Sequence, residues 1–114
     1  MKLLFGIFLF VLMHIGVWWG TNAQFIEGFS RSKAFVISLV LSVPVTLLAF
    51  QGSRMVYDAL DESAWASRFV GFGVSYLVFP VLTWVFLGES MFTAKTMTCI
   101  ALSCAILGVQ IFWT

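Results

Sequence analysis

The chain has 114 residues, of which 61% are hydrophobic and 10% charged, and its formal net charge is +1. A soluble domain carries about 25% charged residues, so water is excluded as the solvent for most of this surface. A charge so close to neutral gives no basic field to attract nucleic acid, which is not expected as a partner.

Four apolar runs follow one another, over residues 3–20, 34–50, 69–87 and 97–113. Each is close to the roughly 20 residues that a helix needs to cross a bilayer core. Strand-type alternation is absent, and a membrane span must satisfy its own backbone, so the runs are helices. The expected fold is therefore an all-α membrane protein with the lipid bilayer as its first partner. It is one four-transmembrane-helix bundle filling residues 1–114, with spans at about 3–22, 33–51, 67–88 and 92–113.

The first span carries "LMHIGVWWGTN". Gly16 and Gly20 form a GxxxG pair suited to close helix approach. His14 is the only group deep in any span that titrates near neutrality, and it shares a helical face with Trp18 and Thr21. Two readings stand for it: a solute contact, or a neutral imidazole hydrogen-bonded to a neighbouring helix. The same run has the outline of a signal peptide, with Lys2 before an apolar core and Ala23 as a cleavage point. Its length and the Trp18-Trp19 pair favour a retained span.

The loop "QFIEGFSRSK" suits the membrane interface. In the second span Pro44 removes a backbone donor and crowds the carbonyl four residues earlier, so a bend or local unwinding is expected. Ser42 and Thr46 are placed to satisfy the freed groups. After Phe50 the stretch "QGSRMVYDALDESAWASR" reads as a solvated loop, with Tyr57 and Trp65 as interfacial anchors. Its acidic trio lacks the spacing of a calcium-binding loop.

The third span opens with Arg68, whose long stem can reach the headgroups. Arg68, Phe72, Ser75 and Tyr76 lie along neighbouring positions of one face, and Pro80 adds a second break. The fourth span has small-residue pairs at Ala101/Ala105 and Cys104/Gly108, which place a dimer contact on Ala101, Ala105 and Gly108. Cys99 and Cys104 point to different faces and read as small buried residues rather than a disulfide or metal pair.

Alternating spans put Lys2, Arg54 and Arg68 on one side of the membrane and Arg31, Lys33 and Lys95 on the other. Lysine and arginine bias in short loops normally sets orientation. Here the sides are balanced, either by accident or because the chain inserts both ways and pairs as an antiparallel dimer. No Walker A loop, dinucleotide fingerprint or catalytic triad can be assembled. One histidine cannot make a multi-ligand metal site. Neither enzyme activity nor a cofactor is expected.

In order and spacing, "EGFSR" after the first helix, "SAWASRFVGFG" at the start of the third and "VLTWVFLGES" at its end resemble the small multidrug resistance branch of the drug/metabolite transporter superfamily. That branch binds protons or cations through a glutamate in its first helix. Counted back from "EGF", the position falls at Gly16, and no carboxylate lies in the helix. "WWG" at Trp18 to Gly20 is also similar to a stretch in uncharacterised four-helix members of the superfamily.

The resemblance implies a dimeric transporter of an unnamed small solute in a bacterial inner or plasma membrane, paired with itself or a related subunit. His14, Trp18, Trp19 and Asn22 would contact the solute, Arg68 and Tyr76 would add a third-helix contribution, and Pro44 and Pro80 would serve as hinges. The alternative is a non-transporting partner subunit or structural bundle, favoured by the missing glutamate.

Overall fold

A computed structural model describes residues 1–113, and helices dominate it. Helix α1 covers Lys2–Asn22 and ends in a 3-10 turn at Ala23–Phe25. Helices α2, α3 and α4 then cover Arg31–Ala59, Ala64–Leu87 and Ala94–Phe112. All four are long and apolar enough to cross a membrane, so the chain is a membrane protein by length and composition.

The helix starts follow from local chemistry. Ser30, Ser63 and Thr93 each accept a hydrogen bond from the backbone N–H three residues on, at 3.1, 3.1 and 3.2 Å. Each hydroxyl thereby satisfies one of the free donors of a helix N-terminus. At the end of α3, Gly88 adopts the left-handed backbone (φ 71°) and donates to the Trp84 carbonyl.

Helix α2 departs from the expected boundary. Its 29 residues amount to about 44 Å, well beyond a hydrocarbon core of about 30 Å. The stretch from Gln51 to Ala59, expected as loop, is helix, and α3 begins already at Ala64. The connection between them is only Leu60 to Ser63. Asp61 and Glu62 both have φ 56°, and the Glu62 N–H reaches back to the Tyr57 carbonyl at 2.9 Å. This is a Schellman-type stop built without glycine.

Neither proline ends its helix. The chain stays helical through Pro44 and Pro80, without the unwinding expected at Pro44. Ser42 Oγ donates to the Leu39 carbonyl at 2.6 Å, and Thr46 Oγ1 donates to the Ser42 carbonyl at 2.8 Å. Both hydroxyls bond beside the Val40 carbonyl that Pro44 leaves free, rather than to it.

Packing centres on the antiparallel pair α1 and α2, which share the most extensive contact in the molecule. Small residues set their spacing. A Cβ on Gly6 would lie 2.7 Å from Val56 Cγ2, and one on Gly16 would lie 2.7 Å from Val45 Cγ2. Helix α3 then lays Val70 and Val74 against Phe10 of α1 and Val56 of α2, forming the buried core. Helix α4 has its substantial contact with α3 alone, through Ser103 and through Leu107 against Gly73. The four helices thus form an open layer, 48 × 35 × 19 Å across its Cα atoms, rather than a closed square bundle.

That open arrangement corrects the reading of the cysteines. Cys99 and Cys104 are free and exposed rather than buried, because a helix with one neighbour leaves most of its circumference outside. Ala101 and Ala105 are exposed for the same reason, and the space beside Gly108 is open.

Candidate functional site

His14 lies 12 residues beyond Lys2, about 18 Å along a 21-residue helix and so near the middle of the span. Its residue is only 8% exposed. Nε2 is 2.9 Å from the Gly71 carbonyl oxygen of α3. A carbonyl can only accept, so Nε2 carries the hydrogen and donates. That bond holds the ring, with Phe79 edge-on to it at 6.4 Å between centroids. The other nitrogen, Nδ1, is buried and has no hydrogen-bond partner among the described residues. Buried polar atoms are nearly always paired, so this orphan acceptor in the middle of a span stands out.

His14 borders a cavity of about 150 Å³ between α1, α2 and α3, together with Phe10, Met13, Ser53, Ser67, Arg68, Gly71 and Phe72. A single ordered water needs only about 10–15 Å³ on such a measure. A wider groove of about 700 Å³ lies between α2 and α3, lined by Thr46, Phe50, Ser53, Arg54, Tyr57, Ser67 and Arg68 among others. Ala49, Ser53, Ser67 and Arg68 border both spaces, so the groove leads inward toward the imidazole.

The walls are built by helix periodicity. Thr46, Phe50, Ser53 and Tyr57 recur at helical spacing and bring one face of α2 to the groove. Opposite them, Ser67 Oγ donates to the Ser53 carbonyl at 3.2 Å and ties α3 to α2. Arg68 lies over the Phe72 ring, 4.6 Å from its centroid. Among the described residues it has no carboxylate partner, whereas Arg54 is paired with Asp58 at 3.2 Å.

Of the six residues expected to contact solute, only His14 and Arg68 border this cavity. Trp18 is fully buried, and its Nε1 donates to Thr83 Oγ1 of α3 at 3.0 Å, which makes it a bridge between helices. Trp19 packs on Phe86 with ring centroids 4.8 Å apart. Asn22 turns back on its own helix, donating to the Trp18 carbonyl at 3.2 Å and to Thr21 Oγ1 at 2.8 Å. Thr21, on the same face as His14, is exposed and donates to the Val17 carbonyl of its own helix at 2.8 Å, and it borders neither space. Tyr76 borders a different cavity of about 340 Å³, with Phe79, Pro80, Thr83, Glu89 and Lys95.

Compared with known protein families, curated proteins and solved structures, the chain has no match. Its site therefore stands on its own geometry. Gly16, where the sequence resemblance would place a glutamate, faces α2, and even a methyl there would press on Val45. The ionisable residue that α1 brings to the border of the cavity is instead His14. Among the described residues, no three His, Cys, Asp or Glu side chains converge to hold a metal ion.

Sequence reasoning missed Ser53, Arg54, Tyr57 and Ser67. The α2 members do carry a signal, because Thr46, Ser53 and Tyr57 continue one helical face beyond the apolar run. The Ser67–Ser53 pairing joins two elements and has no local signature.

Proposed function

We propose that the chain is a small membrane transporter of the drug/metabolite type, moving a small solute by alternating access as a dimer. The observation that carries this reading is His14, a mid-span imidazole with an unpartnered Nδ1, bordering a cavity that shares Ala49, Ser53, Ser67 and Arg68 with an open groove. Ionisable groups at that depth are costly and mark solute or ion pathways. The order of "EGFSR", "SAWASRFVGFG" and "VLTWVFLGES" supports the superfamily assignment.

An open layer of four helices encloses little, and a second copy would complete the walls. The exposed Ala101 and Ala105, with the open space at Gly108, offer a face on which helices can approach closely. The balanced basic residues support insertion in both orientations. Pro44 and Pro80 each remove one backbone hydrogen bond from a long helix, which lowers the cost of bending there.

A thermal-shift screen of the purified protein against cations, anions, metabolites and lipids would supply the solute. Flux of that solute into proteoliposomes is then expected with the native chain and lost in His14→Ala. Unchanged flux would remove His14 from the mechanism. A reporter fused to the C-terminus should appear on both sides of the membrane, and a single orientation would rule out the antiparallel pairing.

A further inference from the structure

We propose that the α2–α3 groove binds an oxyanion, a phosphate or carboxylate group, on Arg68, beside the inner space that His14 borders and where His14 can report the binding. This rests on the reading of the groove as a ligand site and names the chemical class it takes. The first support is the charge inventory of the walls. The groove and inner cavity are bordered by Arg54, Arg68 and His14, and by no aspartate or glutamate. A cationic solute would find no counter-charge there and the unpaired Arg68 guanidinium against it.

The second support is that the two arginines are not equivalent. Asp58 is taken by Arg54 at 3.2 Å, with Lys2 at 4.0 Å on the same oxygen. Arg68 has only the face of Phe72, which positions its guanidinium without neutralising it. It also borders both spaces, so an anion entering from the groove meets it before reaching the cavity. A planar guanidinium is the side chain best matched to two oxygens of a carboxylate or phosphate.

Third, the neighbouring side chains supply donors. Among the described residues, the hydroxyls of Ser53 and Tyr57 make no internal hydrogen bond, and both line the groove. A ligand phosphate or carboxylate can accept from them while Arg68 holds its charge. The source of the oxyanion is either a soluble ion or the headgroup of an anionic lipid, since Arg54 and Arg68 both lie near one end of their spans.

His14 is the only histidine of the chain, so its ring nitrogens give a single resonance pair in labelled protein. The full-length protein in an uncharged maltoside detergent would be titrated separately with inorganic phosphate, acetate, short-chain phosphatidylglycerol and tetramethylammonium. Saturable shifts of the His14 ¹⁵N signals by at least one of the three anions are expected, with affinity weakened about tenfold or more in Arg68→Gln. Arg31→Gln, on the opposite side of the membrane, should bind as the native chain does.

Unperturbed ligand-free spectra in both variants would verify folding. Saturation by phosphate or acetate identifies a soluble ligand; saturation by the lipid alone identifies a headgroup, and either supports the proposal. A response to tetramethylammonium alone, an equal anion response in Arg68→Gln, or no response to any probe overturns it. Anion binding that depends on Arg68 without flux in proteoliposomes would overturn the transporter reading and leave the oxyanion site standing.

Discussion

Replacing the three glycines of α1 that face α2 by alanine should give three different results. At Gly6 a new Cβ would lie 2.7 Å from Val56 Cγ2 and 3.3 Å from both Met55 Cβ and the Val56 backbone nitrogen. Backbone cannot swing aside, so the helices must separate, and overpacking of this kind costs about 1–3 kcal/mol. At Gly16 the one close contact, also 2.7 Å, is a methyl of Val45, which has a single side chain to move. At Gly20 the nearest atoms are Ser38 Oγ at 3.7 Å and Ser38 Cα at 3.8 Å, an ordinary van der Waals approach.

Alanine itself favours helix over glycine by up to about 1 kcal/mol. Gly6→Ala should therefore lose about 1–2 kcal/mol net, Gly16→Ala between about 0 and 1, and Gly20→Ala should be neutral or stabilised. Unfolding of each variant in mixed micelles, followed by tryptophan fluorescence and circular dichroism, gives the order. The double variant Gly16→Ala/Val45→Ala should recover the contact part of the Gly16 loss, as a double-mutant cycle would show. Equal losses at Gly6 and Gly20 would refute the close-approach reasoning. So would a loss at Gly20 larger than the loss at Gly16.

Thr83→Val keeps the volume but leaves the buried Trp18 indole N–H without its acceptor. A loss of about 1 kcal/mol is expected, with a shift in tryptophan fluorescence reporting the changed indole environment. Asp61→Gly should stabilise the α2–α3 turn by about 1 kcal/mol in the same unfolding assay, because φ 56° strains a residue that has a Cβ. Ser67→Ala should cost about 0.5–1.5 kcal/mol through loss of the bond to the Ser53 carbonyl, and should speed amide exchange at the ends of α2 and α3 that meet there.

Much of the architecture follows from the chain alone. Apolar runs of bilayer length, separated by short polar connections, leave no solution but membrane-spanning helices, since each span must pair its own backbone groups. His14 also stands out by itself, as the one near-neutral titratable group deep in a span. The end of α2 was misread because hydropathy reports where the bilayer stops, and a helix can continue into water. From Gln51 to Ala59 the helix continues past the apolar run, carrying Ser53, Arg54 and Tyr57 to the groove.

What only the tertiary structure decided is which of the polar residues meet. Trp18 and His14 lie one turn apart on α1, yet the packing of α3 gives one a hydroxyl and leaves the other a nitrogen unpaired. Arg68 and Tyr76 share a face of α3, but only Arg68 lies where α2 leaves a gap. These outcomes depend on how near one helix comes to another, which small residues such as Gly6, Gly16 and Gly73 set against specific partners. A local pattern can place a side chain on a face; the partner that face meets is a property of the packed whole.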